Sequence, residues 1–361
     1  MTQRTYIIAE AGVNHDGSPK RALQLIDLAA DCGADAVKFQ LFIPELLVTA
    51  SARTAQYQAE NLADHHVSQR DMLRTLTLPA GSMATLSRAC EQRGIDFLCT
   101  PFDLPSLREL LATTTMRYLK LASGEVTHGP LLLAAAQSPL PVILSTGMSN
   151  LDEISAALSI LHHGMSHAAG NPDPAAAFTP AMRASLSGRV TLLHCVSQYP
   201  APFESLNLRS IPTLASEFGL PVGYSDHSPG ITAAVAAVAM GACMIEKHLT
   251  YDTNAHGPDH KASLDGASFR QMVQAIRLTE SAAGDGVKKC QPQEKDTRNI
   301  ARRSVVAAMP VRRGELFSAE NLVCKRPAGG ISPNHYWQLL GKPARRDYEA
   351  DMPLDPDELA A

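Results

Sequence analysis

Residues 222–250 read VGYSDHSPGITAAVAAVAMGACMIEKHLT, and this stretch holds a whole strand–helix–strand unit. Val222–Asp226 and Met244–Thr250 have the content of strands, and Gly230–Ala239 between them has helix-compatible apolar spacing. Its alanines predict a helix packed close against a sheet. The apolar run Ile231 to Ile245 is broken by Thr232 and Gly241, and it falls short of the roughly 20 residues a membrane span needs. Charged and polar residues crowd the strand ends, Ser225 to His227 on one and Glu246 to His248 on the other. A strand buried on both faces should be almost wholly apolar, so a charge inside one demands a reason.

The same unit recurs outward in both directions. Tyr6–Glu10, Ala36–Gln40, Phe97–Pro101, Tyr118–Ser123, Val142–Thr146 and Val190–Cys195 are strand-like, which makes eight in all. Lys20–Asp31, Leu151–Leu161 and Ser268–Ala283 carry helical spacing. Eight strands, each followed by a helix, predict an α/β fold, a (β/α)₈ TIM barrel of about 250 residues or more. A doubly wound open sheet is the alternative, but AEAGVNHDG has the wrong glycine spacing for a dinucleotide turn. Two connections are longer than plain βα loops. Within residues 41–96, SARTAQYQAENLADHH is expected to form a lid over the barrel; residues 162–189 read as a Gly/Pro/Ala-rich surface excursion. Its His162, His163 and His167 read as solvated loop histidines, since nothing there would fix a metal geometry. After Ala283 the composition changes. The expected domains are a catalytic barrel over 1–285, a charged linker over 286–303 and a small domain over 304–361. So short a segment has little core of its own and should dock on its own barrel or a neighbour's.

Composition narrows the function. In 361 residues, 32 Lys+Arg face 36 Asp+Glu, a net charge of -4 that argues against a polybasic nucleic-acid or membrane-surface protein. The opening MTQRTYIIAEAG lacks the pattern of a secretory signal. Seven cysteines without a CxxC pair fit a reducing compartment, so a cytoplasmic protein is expected.

In such a barrel the functional side chains sit at the C-terminal strand ends. Glu10, Lys38, Gln40, Thr100, Lys120, Ser123, Thr146, Ser225, His227, Glu246 and His248 all fall there. One alone could be a barrel-plugging ion pair; so many at one end point to an active site. Lys38 and Lys120 on separate strands, with Ser123-Gly124 beside the second, suit a phosphate-like anion. The alternative is that Lys38 pairs with Glu10 across the barrel. His227 and His248 end adjacent strands and could point at one spot, where Mn²⁺, Zn²⁺ or Fe²⁺ would fit. The loop GPDHKASL (Gly257–Leu264) offers Asp259.

The motifs IIAEAGVNHDGS, DAVKFQ, FLCTPFD, KLASGE, ILSTGM, LLHCVSQYPAPFESLNL, VGYSDHSPGI, IEKHLT and GPDHKASL, in unbroken order, resemble the sialic acid synthase family. SVVAAMPVRRGELFSAENLVCKRPAGGISP resembles its C-terminal antifreeze-like (SAF) domain. The resemblance implies condensation of phosphoenolpyruvate with an N-acetylated hexosamine and water, releasing phosphate. N-acetylmannosamine giving N-acetylneuraminate is the leading expectation. The alternative is N,N'-diacetyllegionaminate from 2,4-diacetamido-2,4,6-trideoxymannose, and more remotely another metal-dependent TIM-barrel aldolase. A non-catalytic carbohydrate- or ice-binding protein is a rival of a different class, disfavoured by the charged strand ends.

The resemblance also implies a divalent cofactor, foremost Mn²⁺ on His227 and His248, and a domain-swapped homodimer. It puts Glu10 and Asp259 in catalysis and sugar contact. Lys38, Lys120 and Ser123 would hold phosphoenolpyruvate, with Thr100 and Ser225 close by and Gln40 among the substrate-binding residues. Tyr199 would bind sugar hydroxyls, and Arg326 of KRPAGG would reach the acyl-amide end from the partner's SAF domain. Ser197 stands where many sialic acid synthases have Asn, a shorter group that still hydrogen-bonds. EAGVNHDG with VKFQLF resembles the pseudaminic branch less than the neuraminic and legionaminic ones, which it matches about equally.

Overall fold

The strands are β1 (Tyr6–Gly12), β2 (Ala36–Leu41), β3 (Asp96–Pro101), β4 (Leu119–Leu121), β5 (Val142–Ser145), β6 (Val190–Cys195), β7 (Val222–Asp226) and β8 (Met244–His248). In the computed structural model, which describes residues 4–54 and 68–360, they run parallel in the order β3-β2-β1-β8-β7-β6-β5-β4. β3 and β4 lie side by side and bring the barrel nearly to closure. Helices alternate with the strands, among them Pro19–Cys32, Leu104–Thr113, Gly129–Ala136, Ser210–Phe218, Thr232–Ala239 and Gly266–Ala283. The chain divides into two compact units between residues 285 and 286.

Alternation along the strands explains what fills the barrel. Ile8, Ala36, Leu98, Ile143, Leu193 and Met244 form one buried cluster separate from the main core. Two residues further along the same strands stand Glu10, Lys38, Thr100, Ser145, Cys195 and Glu246, all buried. The barrel therefore has a dry apolar layer with a polar layer directly above it. Gly223 keeps the lower layer tight, because a Cβ there would lie 2.6 Å from both Leu193 Cδ2 and the Met244 carbonyl oxygen. The alternate residues, such as Ile7, Val37, Phe97, Leu121, Leu144, Leu192 and Ile245, join the main core with the helices.

Asp226 and Lys247 break that outer apolar pattern. Both are fully buried, and Lys247 Nζ donates to Asp226 Oδ2 at 2.8 Å and to the Ser228 carbonyl at 2.5 Å. Asp226 Oδ1 accepts from the Ser228 amide and hydroxyl at 2.9 and 2.7 Å. The pair thus fastens β7, its following turn and β8 together, on the face opposite the polar layer.

Several sequence boundaries shift. Ser123 leaves β4 for a 3₁₀ turn, Ser123–Glu125, and β8 stops at His248. His162 and His163 are not loop residues: they end the helix Leu151–Met165 and bond Ser185 Oγ and the Gly170 carbonyl at 2.5 and 3.1 Å. The 162–189 excursion also contains a helix, Pro180–Leu186. Most of the expected lid, residues 55–66, lies outside the described residues; helices Pro44–Leu47 and Gln69–Leu76 flank it.

In the second unit, β9 (Ser304–Ala307) pairs antiparallel with β10 (Leu322–Lys325). Its core holds Val305, Val311, Phe317, Ile331, Leu339, Tyr348 and Leu354. The segment read as a linker contains a helix, Lys295–Ala301, tied to this unit by the Ala328 amide on the Asn299 carbonyl at 2.9 Å. Among the described residues no helix is long and apolar enough to cross a membrane.

Replacing Lys247 by Met strands the Asp226 carboxylate in a dry site. We expect a loss of about 3–5 kcal/mol in unfolding free energy, much of it recovered by the double change Asp226→Asn with Lys247→Met. Denaturant titration of the single and double variants measures both.

Candidate active site

The polar layer is a chain of opposite charges. Lys38 Nζ sits 2.5 Å from Glu10 Oε2, 3.1 Å from Thr100 Oγ1 and 3.8 Å from Glu246 Oε2. Lys120 Nζ is 3.3 Å from Glu246 Oε1, which also accepts from Ser225 Oγ at 2.9 Å. Gln40 Nε2 donates to Glu10 Oε1 at 3.0 Å. The pairing of Lys38 with Glu10 that the sequence offered as an alternative is therefore present. A second lysine, Lys120, faces the same cavity with Glu246 as its counter-ion.

Burial and pairing split the four groups. Burial raises the Glu10 carboxyl, and the attraction of Lys38 does not cancel it. At Glu246 burial is outweighed by Lys120 and Lys38, which bring its carboxyl down to about 2. Burial also works against the Lys38 ammonium, but Glu10 and Glu246 hold it above its ordinary value. Burial pushes Lys120 down, with Glu246 opposing only in part. One carboxyl is thus inclined to take up a proton while its neighbour is a fixed counter-ion.

Above this layer stand the two imidazoles. His227 Nδ1 lies 2.8 Å from the Val196 carbonyl, which can only accept, so Nδ1 carries a proton. Burial alone would lower the ring's pKa, but Cys195, with Sγ 3.7 Å from that nitrogen, and the Val196 carbonyl raise it above its ordinary value. His248 Nδ1 is buried without a hydrogen-bond partner, 3.9 Å from Asp259 Oδ2. Burial, His227 and Lys38 all keep the His248 ring neutral. The ring centroids are 5.5 Å apart, and the Tyr199 ring packs 4.0 Å from His227. These donors fit a borderline divalent ion. Among the described residues no three His, Cys, Asp or Glu side chains converge as a metal group, so the remaining ligands would have to be water or substrate oxygens.

Asp259 is buried, and burial lifts its carboxyl to about 6. Its loop is pinned to the one after β1: His260 bonds Asp16 Oδ1 at 3.0 Å and Thr250 Oγ1 at 2.7 Å. Asn14 Nδ2 donates to the Leu249 carbonyl and Ser263 Oγ at 3.0 and 2.8 Å. Ser123 Oγ accepts from the Gly147 amide at 2.9 Å, which fixes the turn after β4.

One cavity of about 470 Å³ joins these parts, lined by Glu10, Lys38, Gln40, Thr100, Lys120, Ser123, Ser197, Tyr199, Ser225, His227, His248 and Asp259. Arg326 is an exposed residue of the second unit. The profile of the NeuB family matches residues 25–288, and that of the SAF domain residues 302–360. This chain belongs to the NeuB family. It is similar to the N,N'-diacetyllegionaminic acid synthase of Campylobacter jejuni, 42% identical over 349 residues, covering 97% of this chain and 98% of the relative. A Legionella pneumophila protein of the same name is 40% identical over 336 residues, covering 93% and 89%. Among solved structures, the N-acetylneuraminic acid synthetase of Leptospira borgpetersenii, crystallised with citrate, aligns with a TM-score of 0.68 at 33% identity. That alignment covers 82% of this chain and 90% of the other.

In this NeuB-family barrel, the sequence places Glu246 at a strand end without giving it a role, and it passes over Glu125. The signal for Glu246 was available, since a carboxylate two residues after the inward-facing Met244 must point into the barrel. Glu125 gave no such sign, because the fourth strand was read through to Ser123. It lines the cavity, and its Oε2 is 2.6 Å from His128 Nδ1.

Glu246 is the counter-ion both lysines share, so Glu246→Gln should leave uncompensated positive charge in the layer. We expect about 3 kcal/mol of lost stability and a partial recovery with millimolar phosphate that exceeds any gain in the unsubstituted protein. Thermal unfolding with and without phosphate checks both halves.

Proposed function

We propose that this chain condenses phosphoenolpyruvate with 2,4-diacetamido-2,4,6-trideoxymannose and water, giving N,N'-diacetyllegionaminate and phosphate. N-acetylmannosamine, the leading expectation from sequence, yields to this alternative because relatives at 42% and 40% identity both carry the legionaminic name. The observation that carries the reading is the cavity that joins a two-lysine floor to two buried imidazoles. It offers an anion site and an electrophile site within one substrate's reach.

In this reading Lys38, Lys120, Ser123 and Thr100 hold the phosphate and carboxylate of phosphoenolpyruvate, with Ser225 steadying Glu246. The incoming anion adds negative charge beside Glu10, whose carboxyl burial has already raised, so Glu10 takes up a proton. It can then donate that proton to the sugar oxygen on which charge develops. Tyr199, Ser197, Gln40 and Asp259 orient the sugar. His227 and His248 would hold a divalent ion, proposed as Mn²⁺, which supplies Lewis-acid polarisation of the sugar aldehyde. Holding both substrates over one floor makes the bond-forming encounter an oriented one.

The test is a phosphate-release assay on metal-stripped and Mn²⁺-reloaded protein with both candidate sugars. We expect release only with phosphoenolpyruvate, a sugar and the metal together, and a kcat/KM at least about 10-fold higher for the diacetamido sugar. A preference for N-acetylmannosamine would replace this substrate with the neuraminate one. Release without any sugar would sink the condensation itself.

We further propose a domain-swapped homodimer in which Arg326 serves the neighbouring chain's barrel. Glu10→Ala and Arg326→Ala should each be nearly inactive. In a co-expressed heterodimer one site then carries both defects and the other neither. Random pairing makes about half the dimers mixed, so about a quarter of the activity should return. A mixture that stays inactive, with heterodimers verified by mass, rules the swap out.

A further inference from the structure

We propose that an apolar wall on the β1–β3 side of the cavity selects the acceptor by its C4–C6 end, favouring a C6 methyl and a C4 acetamido group. The inference rests on the legionaminate reading and deepens it.

Val13, Phe42, Met72, Leu73 and Leu76 form a buried cluster of their own, apart from the barrel core, with Leu47, Val48 and Phe102 packed against it. All eight line the same cavity as the lysines and imidazoles. The wall has a clear origin in the chain. Val13, Phe42 and Phe102 directly follow β1, β2 and β3, and the Phe42 and Phe102 rings meet edge-on at 6.2 Å. Met72, Leu73 and Leu76 occupy one face of the helix Gln69–Leu76, the spacing of an amphipathic helix. From its other face Arg74 pairs with Asp71 at 2.9 Å and reaches Glu45 of the helix Pro44–Leu47 at 2.7 Å. Those exposed contacts orient the helix; they leave its apolar side toward the cavity.

The cavity is therefore two-sided. Beyond the ends of β1–β3 stands the wall, while those strands themselves give Glu10, Lys38, Gln40 and Thr100 to the floor; Lys120, Ser123, Tyr199, His227 and His248 come from the β4 and β6–β8 side. With the donor over the lysines and the aldehyde at the imidazoles, the open sugar chain extends toward the wall. A hydroxyl placed against Met72, Leu73 and Phe102 would lose its water and find few partners, whereas a methyl there is simply buried. Gln69 lines the cavity beside this surface, and its amide suits hydrogen bonding with an acetamido group. The 6-deoxy, 4-acetamido sugar matches both features; N-acetylmannosamine, with hydroxyls at C4 and C6, matches neither.

The test compares Met72→Gln and Phe102→Tyr with the unsubstituted protein, reading kcat/KM for both sugars and KM for phosphoenolpyruvate. We expect the ratio of the diacetamido sugar to N-acetylmannosamine to fall about 10-fold or more in each variant, with KM for phosphoenolpyruvate held within about twofold of its original value. Phe102→Tyr keeps the ring packing, so it carries the test if Met72→Gln folds poorly. If the unsubstituted protein favours the diacetamido sugar and both variants keep that ratio while losing both sugars in parallel, the wall is only packing and this inference fails alone. If the unsubstituted protein favours N-acetylmannosamine, the substrate reading fails first and takes the inference with it.

Discussion

Four buried charges in one layer set the terms for everything else in this barrel. Glu10, Lys38, Glu246 and Lys120 are each almost wholly removed from water, and no member is tolerable there without its neighbours. The apolar layer beneath, from Ile8 to Met244, excludes water from below. A charge in so dry a place acts over a longer range than at the surface. The layer is balanced, two cations against two carboxylates. Because Glu10 is inclined toward its neutral form, an arriving anion can shift that balance by moving one proton rather than by rearranging the chain.

The sites above the layer inherit its rigidity. His227 and His248 flank or end the two strands that Asp226 and Lys247 fasten from behind, and the Val196 carbonyl fixes which nitrogen of His227 faces the cavity. Asp259 sits next to His260, whose two ring nitrogens are both engaged, one by Thr250 of its own connection and one by Asp16 of the loop after β1. Strand ends supply the position, and bonds on the far side of each residue supply the orientation. Of the polar atoms left without partners, His248 Nδ1 and Ser145 Oγ belong to residues that line the cavity.

Much of this was legible in the amino-acid sequence because a barrel strand obeys a two-residue period. Eight strand-like runs predict the fold, and alternation alone puts Glu10 above Ile8 and Lys38 above Ala36; Ser197 and Tyr199 rest on the family resemblance instead. What escaped did so for physical reasons. Glu125 lies past the end of a strand only three residues long, where no period survives. The helix Gln69–Leu76 belongs to a long, mostly polar connection, and its apolar face has a meaning only once it is set beside Phe42 and Phe102. The histidines at 162 and 163 were misplaced because a Gly-containing helix end, HHGM, resembles a loop; Gly164 is instead buried against Ala136, where a Cβ would come within 2.6 Å of Ala136 Cβ. Nor was the acceptor sugar legible: on the proposed reading its distinguishing groups meet the wall rather than the strand ends.

Floor and wall also differ in how freely they can change. Altering one member of the charge layer strands another, at a cost of about 3–5 kcal/mol, so the floor changes as a set or hardly at all. The partners proposed for it, phosphoenolpyruvate and an electrophilic carbonyl, would demand the same charges whatever sugar is attached. The wall residues pack into an apolar cluster, and exchanging one hydrophobic side chain for another of similar volume costs under about 1.5 kcal/mol. Selectivity for the acceptor is therefore cheapest to build in Met72, Leu73, Leu76 and Phe102, on elements outside the barrel sheet. On the proposed reading the barrel separates two demands that would conflict if they fell on the same residues: the reacting groups would be held where nothing can move alone, and the sugar distinguished where single substitutions are tolerated.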